Sequence, residues 1–209
     1  MAARIGRLHV ITDVVVQTRF THEELAEAAC AGGADIVQLR DKSQPVESFA
    51  AVARRVAEIC RHHGVTFIVN DHVRVARDVE ADGVHLGRRD SSIEDARALL
   101  GERAIVGASV GSLEEALEAE ASGADYVGFG HVFATMSKTK PTPPVGLDAL
   151  ARVAARARVP VIAIGGITEA NAAQVMETGA WGIAVIGAVC AADDPRAATR
   201  RLKRIVELG

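Results

Sequence analysis

The sequence predicts an α/β protein, a single (β/α)8 TIM barrel in which eight parallel strands alternate with helices. Three observations predict it. One phrase recurs four times, as GGADIVQL from Gly32, EADGVHLG from Glu80, SGADYVGFG from Ser122 and TGAWGIAVIG from Thr178. Each runs straight into an apolar stretch of strand length, and three of the four place a glycine where a helix would end in a left-handed cap. Four further apolar runs lie between these phrases: LHVIT at 8–12, VTFIVN at 65–70, AIVGAS at 104–109 and VPVIAIGG at 159–166. Runs that are apolar throughout, rather than alternating, suit strands covered on both faces, and strict alternation with helices makes them parallel. The 209 residues are used up by eight such units, so 1–209 reads as one domain and a closed barrel is preferred to an open doubly wound sheet.

The helical stretches follow in order. The first spans 21–31, opening at Thr21 with Glu24 three residues on, the spacing of a capping box. The second spans 46–63, and the segment after Asn70 is shorter. Further stretches cover 92–100, 112–122, 147–157 and 170–178; Ser112 and Glu115 repeat the capping-box spacing. The last covers 195–208, with Pro195 in its first turn.

Composition narrows the function. Aromatics are only 3%, so the core rests on Ala, Val, Ile and Leu and offers few rings on which bases could stack. With a net charge of −3 and no basic block, the chain does not read as a general nucleic-acid binder. No apolar run approaches the ~20 residues that cross a bilayer, and the N-terminal segment reads as a first strand rather than a signal peptide. Cys30, Cys60 and Cys190 are far apart with no CxxC, which points to buried thiols in a reducing cytoplasm. The expected partners are small phosphorylated molecules and a second copy of the chain in a homodimer.

In such a barrel the chemistry gathers at the C-terminal ends of the strands. Gln38, Arg40 and Lys42 share one parity at the end of the second strand and are expected to face the axis or rim. Arg grips phosphate through two donors, and Lys adds a point charge. Asp71 and Asp90 follow the third and fourth strands, and hard carboxylates beside anion-binding cations suggest Mg2+ with a diphosphate. The AIGGIT turn and the AVIGAV segment offer backbone N–H groups for a second phosphate. The sixth strand leads into FGHVFATMSKTKP, where His131 stands beside a cationic loop. A simpler reading pairs Arg40 and Lys42 with Asp71 or Asp90 in a rim ion-pair network. His85 reads as a hydrogen-bonded structural residue rather than a chemical one.

VQLRDK, FIVNDHVRVA, DGVHLGRRD, VGAS, DYVGFGHVFATMSKTKP, PVIAIGGI and WGIAVIGAV together resemble the ordered motifs of the thiamine-phosphate synthase family, along essentially the whole chain. The resemblance implies a transferase that joins a hydroxymethylpyrimidine diphosphate to a thiazole phosphate and releases pyrophosphate. It implies that Gln38, Arg40, Lys42 and Asn70 hold the pyrimidine diphosphate, and that Asp71 and Asp90 bind Mg2+. Ser109 and Lys138 would contact the departing pyrophosphate, and Thr135, Ser137, Gly166, Ile186 and Gly187 would cradle the thiazole phosphate. The implied chemistry is dissociative, with no general base. A related family, thiazole tautomerase, is similar in its GHVF phrase and would use His131 as general acid–base; a non-catalytic phosphate-binding barrel is a third reading. The chain departs from the synthase pattern at Gly111, where a His is often found, at Arg88 and Arg89, and at Ser137 in place of Thr.

Overall fold

The computed structural model describes residues 5–135 and 143–209. Eight strands, β1 (Leu8–Thr12), β2 (Ile36–Leu39), β3 (Thr66–Asn70), β4 (Gly83–Leu86), β5 (Ile105–Val110), β6 (Tyr126–Gly130), β7 (Val161–Ile164) and β8 (Gly182–Val185), pair in sequence order. Every pairing is parallel, and β8 returns to β1, so the sheet closes as a barrel. Around it lie α1 (His22–Gly32), α2 (Val46–His63), α3 (Val73–Asp78), α4 (Ile93–Leu100), α5 (Leu113–Ala121), α6 (Gly146–Ala154), α7 (Ala172–Glu177), α8 (Gly187–Cys190) and α9 (Pro195–Leu208).

Strand parity divides the core in two. One set of alternate residues, including Val10, Val37, Val69, Val84, Val106 and Val127, packs outward against the helices. The other set fills the lumen with Ile11, Ile36, Ile68, Ile105, Tyr126, Ile162 and Ala184. β4 is the strand that adds no residue to this apolar lumen cluster; Gly83 and His85 stand at those positions. The lumen is therefore polar on one side.

The recurring phrase has a structural role. The aspartate before β2, β4 and β6 bonds back to the start of the preceding strand with both its backbone and its side chain. Asp35, Asp82 and Asp125 donate their N–H to the carbonyls of Leu8, Phe67 and Val106 at 3.0, 3.0 and 2.8 Å. Their carboxylates accept from the N–H groups of those same residues at 2.9, 2.7 and 2.7 Å. In the fourth copy Trp181 replaces the aspartate. Its N–H still reaches the Val161 carbonyl at 2.9 Å, and its indole N–H donates to the Ile5 carbonyl at 2.8 Å. These bonds pin four strand pairs at the end of the barrel opposite the candidate site. The glycines preceding them, Gly33, Gly123 and Gly179, take φ of 93°, 92° and 83°; where the phrase has no such glycine, Glu80 adopts φ 53°.

Helix boundaries differ from the sequence expectation in instructive ways. At Thr21 the capping box is complete. At Ser112 only half of it forms, because the Glu115 carboxylate accepts from Gly111 N–H at 2.6 Å and pairs with Arg88 instead. The short α8 was not expected, since its four residues carry too little periodicity to read.

His9 lies buried in the lumen, with its Nε2 on the Gly6 carbonyl at 3.1 Å. Burial pushes its imidazole down from 6.5 to about 4, against the opposing pull of that carbonyl and of Asp35. The unfolded chain takes up the proton near 6.5 and the folded one only near 4, so stability is full above that window and falls as pH drops through it. Urea unfolding at pH 7 and pH 5 is expected to show wild type losing about 2 kcal/mol more than His9→Gln on acidification. Equal losses would contradict this assignment.

Candidate active site

The strand ends surround a cavity of about 1390 Å³. Of the residues expected at the site, Arg40, Lys42, Ser109, His131, Thr135, Gly166, Ile186 and Gly187 line it. Gln38 and Asn70 lie just beneath, 3% and 7% exposed, on the parity that faces the lumen. Asp71 and Asp90 reach its edge through contacts with the lining residues Lys42 and Gly87. Ser137 and Lys138 lie outside the described residues.

The structure places the cations differently from one another. Gln38 and Arg40 are buried, whereas Lys42 lies past the end of β2 with its side chain 57% exposed. Lys42 Nζ sits 2.9 Å from Asp71 Oδ2. Arg40 pairs through a terminal nitrogen with Asp13, which is 1% exposed. The expected ion-pair network thus holds for Lys42 and Asp71, while the partner of Arg40 is a residue that strand-end reading passed over. Asp13 follows directly on LHVIT, and a carboxylate at the end of an apolar strand was the available signal. Among the described residues, Arg40 Nε is buried with no hydrogen-bond partner.

A second polar cluster fixes the loop that carries Arg40 and Lys42. Thr12 Oγ1 bonds His22 Nδ1 at 2.8 Å, and His22 Nε2 lies 3.3 Å from Asp41 Oδ2. Asp41 also accepts from Ser43 N–H and Oγ and from Gln44 Nε2. Burial pushes the Asp41 carboxyl up, but these bonds outweigh it and hold it below the usual range. Thr12, His22 and Asp41 are buried, and together they tie β1, α1 and the loop to one another.

Two carboxylates converge over Gly87. A Cβ there would stand 2.7 Å from Asp90 Oδ2 and 3.9 Å from Asp71 Oδ1, so a side chain would enter the space between them. Asp90 Oδ2 accepts from Gly87 N–H at 2.7 Å. Burial raises both carboxyls. For Asp71 the bonds from Asp90 and Lys42 win, and its carboxyl lies below the ordinary range. For Asp90 the bond and charge of Asp71 add to burial, and its carboxyl lies above it. This is the behaviour of two carboxylates sharing one site beside one cation. Among the described residues no group of three or more His, Cys, Asp or Glu could hold a metal ion.

Across the cavity, the glycines of the AIGGIT turn are demanded by packing as well as conformation. Gly165 and Gly166 have φ of 101° and 66°. A Cβ on Gly165 would fall 2.3 Å from His131 Cβ, and one on Gly166 would fall 2.3 Å from the Ala134 carbonyl oxygen. The turn therefore lies flat against the start of the β6 loop, bringing His131, Thr135 and Gly166 to one wall. His85, read from the sequence as structural, bridges Tyr126 and Ser109.

Among the described residues no helix is long and apolar enough to cross a membrane. A family model described as thiamine monophosphate synthase matches residues 8–189. A thiamine-phosphate synthase from Methanocella arvoryzae is 48% identical over 199 residues, covering 95% of this chain and 94% of the relative. One from Chloroflexus aurantiacus is 45% identical over 202 residues, covering 97% and 93%. The solved structure of a thiamine phosphate pyrophosphorylase from Pyrococcus furiosus superposes with a TM-score of 0.88 at 42% identity, covering 97% of this chain and 96% of that one. A 3-hexulose-6-phosphate synthase shares the fold alone, with 21% identity and a TM-score of 0.69.

Removing the partner of a buried arginine leaves its charge unpaired. Asp13→Ala is expected to lower unfolding free energy by about 3 kcal/mol in urea titrations. A change under half that size would mean that Arg40 is held by other groups.

Proposed function

The chain belongs to the thiamine monophosphate synthase family, and from that premise we propose that it joins a hydroxymethylpyrimidine diphosphate to a thiazole phosphate. The observation that carries the reading is one cavity with two unlike walls. On one wall stand Arg40 and Lys42, with the paired carboxylates at its edge, and on the other the backbone-rich turn at Gly166 and the Ile186–Gly187 step. The first suits a diphosphate with a dication, the second a monophosphate.

The residues present fit Mg2+. Asp71 and Asp90 supply hard oxygen donors that meet over Gly87, and magnesium typically takes one or two carboxylates with phosphate oxygens and water. Bound there, the ion would supply positive charge for the departing diphosphate.

Arg40 and Lys42 bind the diphosphate, and Lys138 from the β6 loop joins them as the carbon–oxygen bond breaks and its electron pair passes to the leaving oxygen. Gln38 and Asn70 hold the pyrimidine end, whose ring carries the resulting methylene cation, while Ser109 stands with Lys138 toward the departing pyrophosphate. Thr135, Ser137, Gly166, Ile186 and Gly187 tether the thiazole phosphate, so that the ring nitrogen stands ready to form the new carbon–nitrogen bond. No proton moves in that step, and His131 serves as wall rather than base.

A one-pot assay of the two phosphorylated halves with magnesium is expected to yield thiamine phosphate and pyrophosphate. Chelator, Asp71→Ala and Asp90→Ala should each cut the rate by at least about 100-fold. Undiminished turnover in chelator would sink the magnesium assignment. Absence of product, with isomerisation of a thiazole carboxylate phosphate that His131→Asn abolishes, would sink the synthase reading.

A further inference from the structure

In the lumen beneath the cavity, His85 is held at both ring nitrogens. Nδ1 lies 3.0 Å from Tyr126 Oη, and Nε2 lies 2.9 Å from Ser109 Oγ. The three residues stand on β4, β6 and β5, and the strand pairing explains how they meet. His85 and Tyr126 are both in register with Gly107 of the strand between them. A Cβ at 107 would fall 2.2 Å from Tyr126 Cζ and 2.6 Å from its hydroxyl, so only a glycine lets the phenol cross β5 toward His85. Their rings lie 5.5 Å apart, tilted by 31°. On the opposite edge His9 packs against Tyr126 at 5.2 Å.

The bonds have a direction. Tyr126 is 1% exposed, and burial, with the charge of Asp125, pushes its phenol up, so it keeps its hydrogen. A buried hydroxyl hydrogen needs an acceptor, and His85 Nδ1 stands within reach of it. A nitrogen that accepts carries no hydrogen, so with the Tyr126 hydrogen directed at Nδ1 the ring hydrogen sits on Nε2 and is donated to Ser109 Oγ. With an acceptor lone pair of its oxygen already used, Ser109 keeps its own hydrogen for the cavity that it lines.

We infer that His85, oriented by Tyr126 through the gap at Gly107, is a positioning residue that fixes Ser109 as a hydrogen-bond donor toward the pyrimidine diphosphate. The inference rests on the proposed function for the identity of that substrate, but the orientation of the relay does not. The reverse relay, with Ser109 donating to Nε2 and Nδ1–H donating to Tyr126, would leave Ser109 able only to accept from a ligand.

Two measurements test it. Nitrogen-15 NMR of the ligand-free protein, with the His85 signals identified by their loss in His85→Gln, is expected to show the proton on Nε2. A proton on Nδ1 overturns the inference, whatever the enzyme's activity. In steady-state kinetics, Tyr126→Phe and His85→Ala should each raise KM for the pyrimidine diphosphate by about tenfold and leave KM for the thiazole phosphate unchanged. His85→Gln, which puts an amide N–H in place of Nε2–H, should restore most of the loss. In a Ser109→Ala background both substitutions should have no further effect. Additive losses, or equal rises in both KM values, would show a general structural role and overturn the inference. Failure of wild type to make thiamine phosphate would count against the proposed function alone, since the NMR result stands without it.

Discussion

A side chain on a closed ring of parallel strands has two directions, into the lumen or out against the helices, and all strands end on the same rim. This constraint organises the site. Gln38 and Asn70 face the lumen because Ile36 and Ile68 do, and Arg40 continues that alternation beyond β2. A hydrophobic layer below, built chiefly of isoleucine, keeps water from reaching these polar groups through the barrel floor. The aspartates of the recurring phrase clamp the opposite end, so stability and chemistry occupy different ends of the same strands.

The electrostatics of the rim follow from how the cations are held. Arg40 is buried and paired with Asp13, with one donor unmet among the described residues. Lys42 is exposed and paired with Asp71, a contact that solvent screening makes weak. The first cation is fixed before any ligand arrives, and the second is easily redirected. Asp71 and Asp90 pull their carboxyls in opposite directions, one below and one above the ordinary range, as two acids must when they share a small space. A wall with a rigid cation, a movable cation and a carboxylate pair suits a ligand that arrives highly charged and leaves changed.

Much of this was legible in the sequence, for definite reasons. Strand ends could be read because the apolar runs stop sharply, and α2 and α9 could be read to the residue because their periodicity is long and their ends are marked. The capping box at Thr21 was legible because it is local. What could not be read was which groups meet across strands. Asp13 and Arg40 are 27 residues apart, and no local pattern links them. The role of His85 depends on a glycine of a neighbouring strand leaving room for a tyrosine of the next, which parity alone does not reveal. Glu115 left its expected capping partner for the same kind of reason: Arg88, distant in sequence, stood nearby.

The proposed condensation requires two separate anion sites on one rim, facing a common cavity. A crystal structure of the protein with pyrophosphate, magnesium and a thiazole phosphate tests it most directly. Pyrophosphate is expected on the Arg40–Lys42 wall with the ion between Asp71 and Asp90, and the monophosphate against Gly166 and Gly187, both in the same cavity. Density for both anions at a single overlapping position, or for either one away from this rim, would contradict it.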